Sequence, residues 1–253
     1  LAGAAAGAQD RINGAGASFP QPCYQKWIST YAHLSKTKIN YQSVGSGAGL
    51  AQIKAKTVDF GASDEPLSPE ALEKDGLMQF PTVMGGIVII VHLPVIKPGE
   101  LKLTGPLLAD IFLGKIKKWS DPQIAKVNPG LKLMDMDIVV VHRADSSGTT
   151  WNFTNYLSKV SEAWAKGPGC GKEVAWPCGL GGQKNAGVAT LVDQTRGAIG
   201  YVESAYAFEN DMKYTQLENA AGKFVTPNME SFKAAASNAD WKNAKGFFMV
   251  LTN

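Results

Sequence analysis

Val139-Val140-Val141-His142-Arg143-Ala144-Asp145-Ser146-Ser147-Gly148-Thr149-Thr150 begins as a β-branched run and breaks into small polar residues. The continuous apolar run predicts a buried strand over Ile138–Val141, since strands covered on both faces lose the usual alternation. A small polar turn follows, and a helix is predicted from Trp151 to about Trp164. A strand feeding a helix through a short turn is the repeating unit of α/β architecture. The turn also has a chemistry. Free backbone N–H groups and the positive end of the helix dipole favour a tetrahedral oxyanion at such a position. Arg143 adds a forked cationic donor, and Asp145 can hold that fork in place. His142 should point to the opposite side of the strand and is given no role.

Working outward, two more strand-turn-helix units have the same build. Tyr41-Gln42-Ser43-Val44-Gly45-Ser46-Gly47-Ala48-Gly49 is a polar strand ending in a glycine-rich turn, with a helix over Leu50–Lys54 expected to be capped by Ser46. Ile12-Asn13-Gly14-Ala15-Gly16-Ala17-Ser18-Phe19-Pro20 leads into an amphipathic helix over Tyr24–Tyr31. Each turn alone is ordinary, because Gly and Ser are common turn and capping residues. Three in one chain, one carrying an arginine, favour an anion site. Val58-Asp59-Phe60-Gly61-Ala62-Ser63-Asp64 adds a strand that ends on a carboxylate. An ionised Asp is acceptor-only, so it is useful beside an anion only if the anion carries a proton. Hydrogen phosphate does at neutral pH, and sulfate does not.

These runs, together with Phe80-Pro81-Thr82-Val83-Met84-Gly85-Gly86, Leu113-Gly114-Lys115-Ile116-Lys117-Lys118-Trp119, Gly179-Leu180-Gly181-Gly182 and Gly197-Ala198-Ile199-Gly200-Tyr201-Val202-Glu203, resemble the periplasmic phosphate-binding proteins of phosphate-specific ABC transporters, the PstS family. The resemblance covers nearly the whole chain from about Ile12. It implies a two-lobed periplasmic binding protein fold of type II with the ligand in the cleft between lobes. It also implies phosphate binding by Ser18, Phe19, Ser46, Asp64, Arg143, Ser147, Gly148 and Thr149, with Asp145 orienting the arginine. Position 18 is often Thr in that family, and Ser18 keeps the hydroxyl. The implied partner is the membrane permease, and the implied setting is the periplasm. No enzyme activity, cofactor or metal is expected, and the protein is expected to be a monomer. A carrier for sulfate, molybdate or arsenate would share the helix starts, though sulfate and molybdate would leave Asp64 unmatched.

On this reading residues 1–8 are a signal-peptide remnant, 9–85 form the first lobe and 86–253 the second. Leu1-Ala2-Gly3-Ala4-Ala5-Ala6 has the small-residue pattern of a secretory cleavage site. The resemblance further implies a stretch returning to the first lobe beyond Val250-Leu251-Thr252-Asn253, which this sequence does not contain.

Composition narrows the function classes. With 253 residues, 45% hydrophobic content and a net charge of +3, the chain can bury one or two cores, and its Lys and Arg form no dense nucleic-acid-binding cluster. Gly86-Ile87-Val88-Ile89-Ile90-Val91 is too short for a membrane span, which needs about 20 residues. No G-x-S-x-G nucleophile elbow occurs, the glycine-rich run 45–50 lacks the last glycine of a dinucleotide loop, and no Cys or His pairs have zinc spacing. Cys170 and Cys178 bracket a short glycine-rich loop and are either a disulfide in an oxidising compartment or two separate thiols. Cys23 is left over as a buried free thiol.

Overall fold

The computed structural model describes residues 11–252. The signal-peptide reading of residues 1–8 lies outside them. The first lobe is built from β1 (Arg11–Gly16), α1 (Gln21–Tyr31), β2 (Lys38–Ser43), α2 (Ser46–Lys54), β3 (Phe60–Ala62) and α3 (Pro69–Asp75). Its strands form a parallel sheet in the order β2-β1-β3, with Ala15 opposite Gln42 on one side and Gly61 on the other. Parallel neighbours require a crossover, and α1 and α2 supply the crossovers here.

After Gly86 the chain continues into β4 (Ile87–Val91), the first strand of a second, larger sheet. β5 (Lys102–Leu103), α4 (Gly105–Phe112), α5 (Pro122–Val127), β6 (Val139–Arg143), α6 (Gly148–Val160) and α7 (Glu162–Lys166) follow. Then come β7 (Leu180–Gly182), α8 (Lys184–Gln194), β8 (Ala198–Glu203), α9 (Ser204–Phe208), β9 (Lys213–Tyr214), β10 (Gln216–Glu218), β11 (Phe224–Val225) and α10 (Met229–Ser237). The main sheet runs β7-β6-β8-β4-β9. β6 is parallel to both neighbours, whereas β4 and β8 are antiparallel. A small sheet, β11-β10-β5, lies beside it.

The second lobe holds the densest core. Trp119, Trp164, Tyr201, Phe112, Ile89 and Leu108 are fully buried on one face of the main sheet, and Val88, Ile90, Val141, Val188 and Val202 on the other. That two-sided burial is why Val139–Val141 and Ile87–Val91 read as unbroken apolar runs. Trp119 donates its indole N–H to the Gly197 carbonyl at 2.9 Å, so the largest core residue is also satisfied as a donor. The first lobe is more open. A groove of about 1380 Å³ runs over it, lined by Trp27, Phe60, Leu72, Phe80, Trp241 and Leu251 among others.

The segment 239–252, assigned above wholly to the second lobe, meets both lobes. Gly246 O accepts from Gln79 Nε2 at 2.6 Å, while Thr252 bonds to Asn155 and Lys159 on α6.

Local boundaries differ from the sequence reading, with consequences for the site at α6 and α2. α6 begins at Gly148, three residues earlier than expected, because Ser147 is extended and its Oγ accepts from Thr150 N at 3.1 Å. The same helix stops at Val160, since Ser161 leaves helical geometry and caps α7 by accepting from Trp164 N. Ser46 does not cap α2. Gly45 occupies that position with φ 94° and Ser46 is the first helical residue, which frees its hydroxyl to face Asp64 and Gly148.

Candidate functional site

β6 delivers Arg143 at its C-terminal end, the edge at which open α/β sheets place their ligands. The side chain is 1% exposed. Asp145, two residues on, accepts from Arg143 Nε at 2.7 Å and Nη2 at 2.5 Å. Arg143 Nη1 is buried and has no hydrogen-bond partner among the described residues. Two things position Asp145 and Arg143. Lys184 N, at the start of α8, donates to Asp145 Oδ1 at 2.9 Å, and Arg143 N donates to Tyr201 Oη at 3.1 Å. Burial alone would raise the Asp145 pKa, but hydrogen bonds from Arg143 and its charge outweigh that and hold the carboxyl below its usual range.

The second group comes from both lobes. Asp64 follows β3, and its Oδ2 accepts from Thr149 Oγ1 at 3.0 Å. Its Oδ1 lies 3.4 Å from the Ser46 hydroxyl. Asn152 Nδ2 donates to the Asp64 carbonyl at 2.9 Å. Burial pushes the Asp64 pKa up to about 6, although the hydrogen bond from Thr149 and the charge of Arg143 both pull it down. Backbone proximity makes this meeting feasible. A methyl group on Gly148 would stand 2.8 Å from Asp64 Cβ and 2.6 Å from Ser46 Oγ. At Gly47 it would stand 2.2 Å from Ser146 Oγ, and Gly47 N instead donates to the Ser146 carbonyl at 3.1 Å. The lobes therefore touch through glycines at the starts of α2 and α6.

The third group surrounds Ser18, in the turn between β1 and α1. Asn185 N and Nδ2 both donate to Ser18 Oγ, at 3.3 and 2.9 Å. A hydroxyl has two acceptor lone pairs and one proton, so these two bonds leave the Ser18 proton as the group that can donate elsewhere. Tyr206 Oη donates to the Ser18 carbonyl at 2.7 Å, and Asn185 Oδ1 accepts from Glu203 N at 2.9 Å. Phe19 is half-buried beside Gly85, next to the crossing between lobes.

Of the residues named from sequence, Ser46, Asp64, Gly148 and Thr149 thus meet directly, and Arg143 is paired with Asp145. Ser18 joins them through the adjacent residues Lys184 and Asn185. Ser147 acts through the cap of α6 and is 1% exposed. His142 turns to the other side of β6, where its ring stacks on Trp176 with centroids 4.7 Å apart. Sequence reasoning missed Asn185, Tyr201, Glu203 and Tyr206. Tyr201 and Glu203 lie inside the run 197–203 noted for its resemblance, but nothing local says that they buttress Arg143 and Asn185.

Cys170 and Cys178 are two free thiols, which corrects the disulfide reading. The physical reason is their separate seats: Cys170 Sγ faces the Trp151 carbonyl at the start of α6, and Cys178 Sγ faces the Phe112 carbonyl at the end of α4. Cys23, expected to be buried, is half-buried on the first turn of α1. Among the described residues no group of three or more His, Cys, Asp or Glu could hold a metal ion.

Comparison with known proteins gives a consistent result. Residues 3–245 match the model of the PBP superfamily domain. The chain is 59% identical over 243 residues to phosphate-binding protein PstS of Xylella fastidiosa strain Temecula1, covering 96% of this chain and 67% of that protein. It is 57% identical over 242 residues to phosphate-binding protein PstS of Haemophilus influenzae, covering 96% and 72%. The chain thus spans about two thirds of the length of these relatives. Its fold matches the subatomic-resolution structure of a high affinity periplasmic phosphate-binding protein, PfluDING, bound with phosphate. The TM-score is 0.66 at 24% identity, covering 94% of this chain and 72% of that one.

Proposed function

The chain belongs to the PstS family of phosphate-binding proteins within the PBP superfamily, and from that premise we propose that it captures inorganic phosphate between its lobes for a membrane ABC permease. It is a carrier in the periplasm and not an enzyme. The lobe division near residue 86 and the assignment of Ser18, Phe19, Ser46, Asp64, Arg143, Ser147, Gly148 and Thr149 as phosphate ligands are part of this reading. So are action as a monomer and export by a secretory leader.

One observation carries the ligand assignment: Arg143 Nη1 is buried without a partner among the described residues, and the half-buried carboxylate of Asp64 belongs to the same set of side chains. A buried cationic donor needs an acceptor, because an unmatched one costs about 1–3 kcal/mol or more. The Asp64 carboxylate is acceptor-only and is served here by Thr149 and Ser46, a place that a ligand proton can take over. An anion that still carries a proton suits both groups. Its unprotonated oxygens take the protons of Arg143 and Ser18 and the N–H groups left free at the starts of α2 and α6, and the hydroxyls of Ser46 and Thr149 turn to it from Asp64. Its own hydroxyl donates to Asp64. In a dry cleft these charge-assisted bonds replace the hydration shell, and hinge closure about the crossing near Gly85 completes it.

Sulfate offers Asp64 no proton. A site built around a ligand hydroxyl can reject the analogue lacking it by on the order of 10⁴- to 10⁵-fold. Calorimetric titration of phosphate-stripped protein with phosphate and with sulfate tests the reading. Phosphate heat without sulfate heat supports it, and equal binding of the two anions would remove Asp64 from the site.

A further inference from the structure

The contacts that cross between the lobes include an ion pair outside the set of phosphate ligands. Lys172 Nζ lies 2.6 Å from Glu65 Oε2, with side chains 26% and 22% exposed. Glu65 Oε2 itself is shut off from solvent and accepts no well-aligned hydrogen bond among the described residues, so Lys172 meets it as a counter-charge. Glu65 directly follows Asp64, and its backbone is fixed in a tight turn with Ser63. Glu65 N donates to Ser63 Oγ at 3.1 Å, and that hydroxyl donates to the Glu65 carbonyl at 2.9 Å. Lys172 sits on the loop between α7 and β7. Ser147 N donates to the Lys172 carbonyl at 3.1 Å, and Gly171 N donates to Thr154 Oγ1 at 3.1 Å. Each partner is thus anchored beside a residue of the phosphate site, one on each lobe.

We propose that the Lys172–Glu65 ion pair is a latch that holds the cleft closed and sets how fast phosphate leaves. The inference rests on the phosphate-carrier reading above. Because the partners belong to different lobes, the pair exists only in the closed form. In an open cleft both charges are hydrated, so its interaction free energy is differential between the two states and shifts the closing equilibrium. The phosphate bonds supply the ligand-dependent part of closure and the latch supplies a ligand-independent part. Removal of Lys172 leaves Glu65 Oε2 shielded from water and without its counter-charge, which penalises the closed form alone.

The latch makes a prediction opposite in sign to that of the general electrostatic field. Glu65 is a negative charge next to a bound anion. On field grounds alone, Glu65→Gln should slow phosphate release, whereas loss of a latch should speed it. Phosphate release is measured by stopped flow on the full chain for wild type, Lys172→Met, Glu65→Gln and the double variant, at low and high salt.

Both single variants are expected to release about five-fold faster, the upper end for a partly exposed ion pair. The double variant should add little to either, since the two changes remove one shared interaction. The gap from wild type should narrow in 1 M salt, where the screening length is about 3 Å. Slower release from Glu65→Gln, or additive effects in the double variant, would overturn the latch while leaving the carrier intact. Failure of the wild type to bind phosphate would overturn the carrier reading and the latch with it.

Discussion

Asp145 takes the Nε and Nη2 protons of Arg143 at 2.7 and 2.5 Å, which fixes the plane of the guanidinium and leaves the Nη1 end as its free donor. The pair is a donor on a rigid mount. Lys184 N holds the far side of the mount through Asp145 Oδ1, and Tyr201 Oη holds the Arg143 backbone. In a free arginine the same protons would cost side-chain entropy to aim at a ligand, and here that cost is met on folding.

Arg143 is accordingly the residue whose loss should hurt binding most. Arg143→Ala is expected to weaken phosphate binding by about 3–5 kcal/mol, the cost of leaving a buried charge unpaired. Arg143→Lys should recover only part of this, since an ammonium cannot keep both bonds to Asp145 and still present a third donor in plane. Calorimetric dissociation constants for the two variants check this ordering, and equal affinity of the lysine variant and wild type would contradict the rigid-mount argument.

Asp64 makes stability depend on pH in the ligand-free protein. Its pKa rises on folding from 3.8 to about 6, mainly through burial. Between those values the folded protein holds a proton that the unfolded chain has lost, so stability falls as pH rises through the window. Above it, ionised Asp64 costs roughly 3 kcal/mol at 1.36 kcal/mol per pKa unit. Asp64→Asn, neutral at every pH, should therefore melt higher than wild type at pH 7.5 without phosphate, and the advantage should vanish near pH 4. Scanning calorimetry from pH 4 to 8 measures the difference; one that stayed constant across that range would show that Asp64 is not the group responsible.

Gly148 tests the close approach of the lobes. An added methyl would stand 2.8 Å from Asp64 Cβ, an atom that moves only if the β3 loop moves. Gly148→Ala should hold the cleft ajar. The thermal stabilisation that phosphate gives the wild type should fall by more than half in the variant. A small-angle scattering profile with phosphate should match the wild-type profile without it. A profile that still contracted on phosphate addition would place the lobe contact elsewhere.

The parts of the site that announce themselves in sequence are those made by local geometry. Arg143, Asp145 and the start of α6 lie within six residues, so strand, fork and helix start are readable together. Ser46 and Asp64 are legible because each ends a recognisable strand-turn unit, although the hydroxyl of Ser46 serves Asp64 and not its own helix. Asn185 and Tyr201 were missed for the converse reason. Each acts across a gap of tens or hundreds of residues, Asn185 on Ser18 and Tyr201 on Arg143, and no periodicity encodes such a pairing. Cys170 and Cys178 show the limit of spacing as a guide: eight residues apart in sequence, they lie against two different helices.

Asn185 joins the fold to the binding site. It is fully buried, and its side chain bridges Ser18 Oγ on the first lobe and Glu203 N on the second. Asn185→Ala removes both bonds and strands the buried Glu203 N–H, so the fold should lose about 1–3 kcal/mol. Asn185→Asp keeps an acceptor for Glu203 N but replaces the amide donor with a carboxylate. Ser18 Oγ would then spend its proton on the carboxylate and turn a lone pair toward the ligand. A carboxylate at this fully buried position also costs stability, so affinity is measured under conditions where the variant is folded, and phosphate should bind at least tenfold more weakly, a loss of about 1.4 kcal/mol. Equal phosphate affinity in that variant would mean that the Ser18 proton is not directed at phosphate and that Asn185 serves the fold alone.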